Sequence, residues 1–260
     1  MDARSASNSL PSRCAIHFGL RSSRASRVRG GADMNPSVPA GGEEGGAHGL
    51  AWFGKLPSAG DFVSRRMAYA VQQFWDRWCA DGMDALKAGS NATGVAVWGT
   101  TPKWAFVLPA QPGVRIGQLG VFSPSCDRVG RVFPFIVSVP LIEGQQAALL
   151  ERAGVLGPAW AQVVAKAQEE RLGIDTVDAS LLSVLAQTLA ADPPKADDDD
   201  ESTLPRGINP STMPWPDLRY MFDLHGSQTY WWSVPIATTG FQSKVHAGSL
   251  KAIHFLDLCR

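Results

Sequence analysis

The sequence predicts an α/β protein of the α+β type, with one largely antiparallel sheet packed with helices in a single domain. Four short β-branched or aromatic segments lie between Gly94 and Val139, separated by Gly/Pro punctuation at Pro102, Pro109, Pro112 and Gly113. Such gaps admit hairpins but no crossover helices, and hairpins pair strands antiparallel. Helical periodicity dominates on both sides of that block. The stretch that follows an acidic run near residue 200 is too short for a core of its own and must complete the same domain. Apolar residues make up 45% of the chain and charged residues 18%, the balance of a globular protein.

In chain order, residues 1–48 are expected to be a disordered leader. Residues 1–33 hold Arg4, Arg13, Arg21, Arg24, Arg27 and Arg29 against Asp2 and Asp33, with many Ser and little that is apolar. Such a composition cannot build a core. It is similar in balance to a transit peptide and lacks the apolar stretch of a secretory signal. An early start is the simpler expectation, with Met34 the true first residue and Asn35 to Gly49 an ordinary flexible terminus. The folded domain is placed at 49–260.

Leu50 to Gly54 is a short apolar run, a strand, and Lys55 to Phe62 is the turn after it. Gly54-Lys55 is no phosphate loop, because there the Lys follows its Gly at the end of the motif and a Ser or Thr comes next. From Val71 to Leu86 the apolar positions Val71, Phe74, Trp75, Trp78, Cys79, Met83 and Leu86 recur at helical spacing, and Gly89-Ser90-Asn91 ends the run. Aromatic side chains in such a stripe are core. Strands are expected at Gly94 to Trp98, Trp104 to Leu108, Ile116 to Phe122 and Val132 to Val139. Helices follow at Gln145 to Glu151, Ala159 to Arg171 and Val177 to Leu189, the first two parted by Gly154, Gly157 and Pro158. The last is given Asp175 or Thr176 as N-cap. Asp192 to Pro210, with its run Asp197 to Glu201, is an acidic, solvated linker. Thr229 to Ser233 is a further strand and Ser249 to Cys259 a closing helix.

Composition narrows the function. With 24 basic and 24 acidic residues no global field draws the chain to nucleic acid or anionic lipid. Cys14, Cys79, Cys126 and Cys259 are scattered, which argues against a disulfide framework or a zinc site and for a reducing cytoplasm. No apolar run approaches the roughly 20 residues of a bilayer span. No cofactor or metal is expected. His225, His246 and His254 share no ligand spacing, and no Gly-x-Ser-x-Gly elbow occurs. The expectation is a protein that is not an enzyme; a carboxylate hydrolase using Asp61 and Asp127 is the chemical alternative.

Ser123 to Pro134 is the informative stretch. Asp127, Arg128 and Arg131 lie within a connection held at both ends by strands, which suits a structural ion-pair cluster or a recognition surface. Gly54-Lys55-Leu56-Pro57-Ser58-Ala59-Gly60-Asp61-Phe62-Val63-Ser64-Arg65 and Pro124-Ser125-Cys126-Asp127-Arg128-Val129-Gly130-Arg131-Val132-Phe133-Pro134, with Trp75 to Trp78 between them, Trp104-Ala105-Phe106 ahead of the second and Trp231-Trp232 near the end, form one ordered set. From about Leu50 onward this set resembles the TagF family, also called ImpM, of bacterial type VI secretion-associated proteins. Ala59 stands where the family often has a polar residue and Val132 where an aromatic is common.

The resemblance implies a cytoplasmic accessory protein, a post-translational repressor of secretion that binds the forkhead-associated scaffold protein of the machine. A structural or assembly component of the apparatus is the alternative. No serine/threonine phosphatase sequence follows Arg260, so the fused form of the family is not expected. Carried over from the two motifs are Lys55, Asp61 and Arg65, and Asp127, Arg128 and Arg131, as partner-binding residues or structural ion pairs. The two loops are expected side by side at one sheet edge, Asp61 or Asp127 pairing with Arg128 or Arg131, and Lys55 on a wet rim.

Overall fold

In a strand, neighbouring side chains face opposite ways, and here both faces of each central strand are apolar, so the sheet needs a cover on each side. The structure, a computed structural model, describes residues 49–89, 93–191, 214–234 and 241–260. The expected leader and the acidic linker at 192–210 lie outside the described residues, as does the Ser90-Asn91 helix end.

The strands are β1 (Ala51–Gly54), β2 (Val63–Arg65), β3 (Lys103–Leu108), β4 (Gly117–Ser123), β5 (Phe135–Leu141), β6 (Gln228–Val234) and β7 (Ser243–Ala247). The helices are α1 (Tyr69–Gly89), α2 (Thr93–Thr100), α3 (Gln146–Glu151), α4 (Ala153–Glu169), α5 (Ile174–Ala190), α6 (Leu218–Met221) and α7 (Ala252–Leu258). Among the described residues the strands form one sheet in the order β2-β1-β5-β4-β3-β6-β7, with every pair antiparallel. This is the α+β fold with a single antiparallel sheet that the sequence predicts.

One cover is made by α1, α2 and α7, whose Trp75, Trp78, Trp98 and Phe255 pack with Phe53, Trp104, Phe106, Phe122, Ile136 and Trp231 of the sheet. The opposite cover is α4 and α5, which bury Trp160, Val164, Val177 and Leu181 against Trp52, Ala105, Val107, Val121, Val137 and Trp232. Adjacent pairs such as Trp52 and Phe53, or Trp231 and Trp232, therefore feed two different cores. Among the described residues no helix is long and apolar enough to cross a membrane.

Three expectations need correction. Gly94 to Trp98 belongs to the helix α2, not to a strand. Both neighbours of β3 are taken, by β4 and β6, so this run cannot form a hairpin with the strand that follows it. It closes instead as a helix that seats Trp98 against Phe122 and Phe255, at ring centroid distances of 6.4 and 6.0 Å. Second, Gly154, Gly157 and Pro158 lie inside α4 and do not part it from α3; Arg152 alone stands between the two helices. Gly157 is there for approach, since a Cβ on it would come within 2.6 Å of the Cβ of Ala105 on β3. Third, α5 begins earlier, with Gly173 as its N-cap and its carbonyl accepting the Val177 N–H at 3.0 Å. Asp175 then sits in the first turn, where a negative charge favours the helix N-terminus. Sequence reasoning missed β2 and β7, the two outer strands: each is short and has one side open to solvent, which leaves a weak pattern.

Candidate functional site

β1 and β5 pair antiparallel through Gly54↔Phe135, so the chain leaving β1 and the chain entering β5 emerge at the same end of the sheet. That register brings the two motifs together. Gly54 has φ 141°, and a Cβ there would lie 2.1 Å from the carbonyl oxygen of Pro134, so only glycine lets the motifs touch at this point. From there Lys55 N–H donates to Pro134 O at 3.4 Å and the Ser125 hydroxyl donates to Lys55 O at 2.6 Å.

The second motif closes on itself. Cys126 bridges Val132, Asp127 N–H donates to Arg131 O at 3.0 Å, and Gly130 N–H donates back to Asp127 O at 3.0 Å. Gly130 completes this turn at φ 85°. The Asp127 carboxylate sits inside it, 2% exposed. Its Oδ1 accepts the Val129 and Arg131 N–H groups at 3.1 and 2.9 Å, and its Oδ2 accepts Lys55 Nζ at 2.9 Å and Arg131 Nε at 2.7 Å. A carboxylate offers about four lone-pair sites, and here all are used. Burial alone would raise the Asp127 pKa, but the hydrogen bonds from Lys55 and Arg131 outweigh it and hold the group below the usual carboxylate value. Asp127 is thereby an ionised anchor with no lone pair left to take a substrate's proton.

Lys55 is the correction within this cluster. The expected rim position is wrong: its side chain is 7% exposed, its ammonium meets Asp127 and stands 5.1 Å from the Phe62 ring centroid. Phe62 in turn stacks on Phe53 at 5.5 Å and meets the edge of Phe133 at 4.8 Å. The aromatic wall removes water from the ammonium, and only a carboxylate can then satisfy it.

Around this buried pair the two loops present their exposed groups. Arg131 is partly exposed and ties the loops by donating from Nη2 to Gly60 O at 2.6 Å. Arg128 fixes its backbone with an N–H bond to Ala59 O at 2.7 Å while its side chain is exposed beside Gly60. Val129 is 59% exposed at the tip of the turn. Asp61 is exposed and its Oδ1 accepts the Phe62 N–H at 2.8 Å, so the carboxylate that pairs with Arg131 is Asp127. Arg65 goes elsewhere, to Asp175 of α5 at 3.0 Å.

A second charged cluster, which sequence reasoning missed, adjoins Arg65. Arg66, at φ 54°, donates from Nε to Leu50 O at 2.8 Å and from Nη1 to Asp178 Oδ2 at 2.9 Å. Asp178 also accepts the Trp52 indole N–H at 2.7 Å. The Arg66 guanidinium, followed by the indole, keeps the Asp178 carboxyl below its ordinary pKa. Arg66 stands next to a motif residue, but its partner lies 112 positions along the chain on α5, and no sequence signal joins them. Among the described residues no group of His, Cys, Asp and Glu is placed to hold a metal ion.

Comparison with known proteins places this geometry. No curated protein matches the chain. Among solved structures, the crystal structure of PA0076 from Pseudomonas aeruginosa PAO1 has a TM-score of 0.57 over 81% of this chain and 94% of that one, at 24% identity, a likeness of fold. The model of the TagF N-terminal domain, type VI secretion system-associated, matches residues 51–187, which hold both motif loops and the Asp127 anchor. The chain belongs to the TagF family of type VI secretion system-associated proteins.

Proposed function

We propose that this protein is a non-enzymatic regulator of the type VI secretion system, a cytoplasmic post-translational repressor that acts by binding the machine's forkhead-associated scaffold protein. The observation that carries the binding reading is the Asp127 clamp, which spends two buried charges and a partly exposed Arg on fixing a turn whose tip, Arg128 and Val129, faces solvent. A rigid tip loses little freedom on docking, and that is how a small surface gains affinity. Arg128 and the partly exposed Arg131 make the tip basic, complementary to an acidic partner surface. A carboxylate hydrolase would ask Asp127 to act as acid or base, and its four hydrogen bonds with a lowered pKa run against that role.

The test is a pull-down of the scaffold by the full chain, parent beside Arg128→Glu, with secretion assayed in a deletion strain. Retention by the parent, at least tenfold weaker retention by the equally stable variant, and secretion released by deletion are expected. A parent that fails to retain the scaffold at low micromolar concentration, or a deletion that stops secretion, would instead support a structural component of the apparatus.

A further inference from the structure

α5 is an outer helix with apolar residues on both faces. Its inner face buries Val177 and Leu181, with Val184 and Leu185 packed beside them. On the outer face Ala179, Leu182, Ala186 and Leu189 are all exposed, the two leucines by 38 and 43%. These four positions fall within roughly 80° of the helix circumference. A solvated helix face ordinarily carries charge, yet the sequence from Ala179 to Ala191 holds no charged residue. Along one flank of the stripe Gln187 Nε2 donates to Ser183 Oγ at 2.9 Å, so these polar groups satisfy each other without a partner.

The spacing 179, 182, 186, 189 alternates three and four, the seam of a helix pair, and small and large residues alternate along it. That alternation selects the partner. When the stripe meets a copy of itself antiparallel about a two-fold axis at Val184, Leu182 faces Ala186 and Leu189 faces Ala179, so every layer sets one Leu against one Ala. In a parallel pair the same residues would meet Ala on Ala and Leu on Leu. The small residues let the two axes approach to about 8 Å, and the antiparallel course opposes the helix dipoles favourably. A contact of this kind is isologous and closes at two copies. The chain's own next segment is a poorer cover: Asp192 to Pro210 is acidic and holds only Leu204 and Ile208 as large apolar residues.

We propose that two copies of this protein associate through α5, antiparallel, with the Ala179-Leu182-Ala186-Leu189 stripe as the seam. Four layers fall short of the roughly 800 Å² per partner of a standard interface, so the dimer is weak and forms as concentration rises. The stripe shares no residue with the two motif loops, and this pairing does not rest on the scaffold reading.

The experiment is sedimentation equilibrium of the full-length protein from low micromolar to millimolar concentration. A rise from the monomer mass towards twice that mass is expected. Ala186→Glu and Leu182→Lys, both at exposed positions, should each weaken association at least tenfold with an unchanged thermal midpoint. Val245→Glu sets the same charge on the exposed face of the edge strand β7 and should have no effect. Because 186 faces 182 across the axis, an equimolar mixture of Ala186→Glu and Leu182→Lys should associate at least threefold more tightly than either alone. A parent that stays monomeric at millimolar concentration, a dimer lost in Val245→Glu and kept in Ala186→Glu, or a mixture no tighter than its components would overturn the proposal.

Discussion

At the residue scale, Asp127 decides whether the two motifs form one object. It gathers a Lys and an Arg from opposite loops and two N–H groups from its own turn. Asp127→Asn would leave the Lys55 ammonium behind its aromatic wall with no charged partner, and breaking a buried pair in this way costs about 3 to 5 kcal/mol. Urea denaturation of the variant should show that loss, while Arg128→Ala, exposed beside it, should stay within about 0.5 kcal/mol of the parent. An Asp127→Asn protein as stable as the parent would mean that the clamp is not structural. The pH dependence has a definite sign. Because the folded pKa of Asp127 is below the unfolded value, its stabilisation is whole above the unfolded pKa of about 3.9 and is lost as pH falls further, through the folded value. Acid denaturation of the parent should therefore steepen below about pH 4, and less so in Asp127→Asn.

At the element scale, α1 carries one of the two cores. Trp78, 4% exposed, meets Trp75, Phe122, Trp231 and Phe255 at ring centroid distances of 5.4 to 5.9 Å and donates its indole N–H to Lys251 O at 3.0 Å. Trp78→Ala removes the residue that joins α1, α7 and the sheet, at a cost of about 3 to 5 kcal/mol. For a chain of this length a loss of 1 kcal/mol lowers Tm by about 2 to 4 °C. Calorimetry would read the difference directly, and an unchanged Tm would remove Trp78 from the core. A helix with this aromatic stripe is visible in sequence because its period matches 3.6 residues. The α2 segment hid its nature because Val and Trp are strand formers in isolation, and only the two filled edges of β3 keep it from a hairpin with that strand.

At the scale of the whole molecule, the far edge of the sheet is fastened to α7 by titratable groups. His246 of β7 stacks on His254 of α7 with centroids 4.5 Å apart, and His246 Nε2 lies 3.2 Å from Asp257 Oδ2. Lys244 also reaches Asp257, at 3.3 Å, and His254 Nδ1 accepts the Lys251 N–H at 3.1 Å. Burial lowers the His254 pKa, with His246 and Lys251 adding to it and Asp257 opposing. A base whose pKa is lowered on folding binds its proton first in the unfolded chain. Stability therefore declines as pH falls below the unfolded value of about 6.5, down to the folded pKa. Urea midpoints should be lower at pH 5.5 than at 7.5. His254→Asn, which keeps an acceptor for Lys251 and cannot be protonated there, should narrow that gap; an unchanged gap would place the titration elsewhere.

The sequence by itself determined the fold class, the aromatic stripe of α1, the strands β3, β4, β5 and β6, and the two loops that carry the charged site residues. These follow from local physics: side-chain period, turn residues and the short gaps that force hairpins. Tertiary structure alone decided which charges meet. Lys55 and Asp127 are 72 positions apart, and Arg66 and Asp178 are 112 apart. Neither pairing leaves a trace in spacing, because a salt bridge depends on the register of β1 on β5 and the docking of α5, and these are set by packing across the whole sheet. For the same reason Lys55, a long cation beside a turn, has the sequence of a rim residue; Phe53, Phe62 and Phe133 close over it only when both motifs are in place.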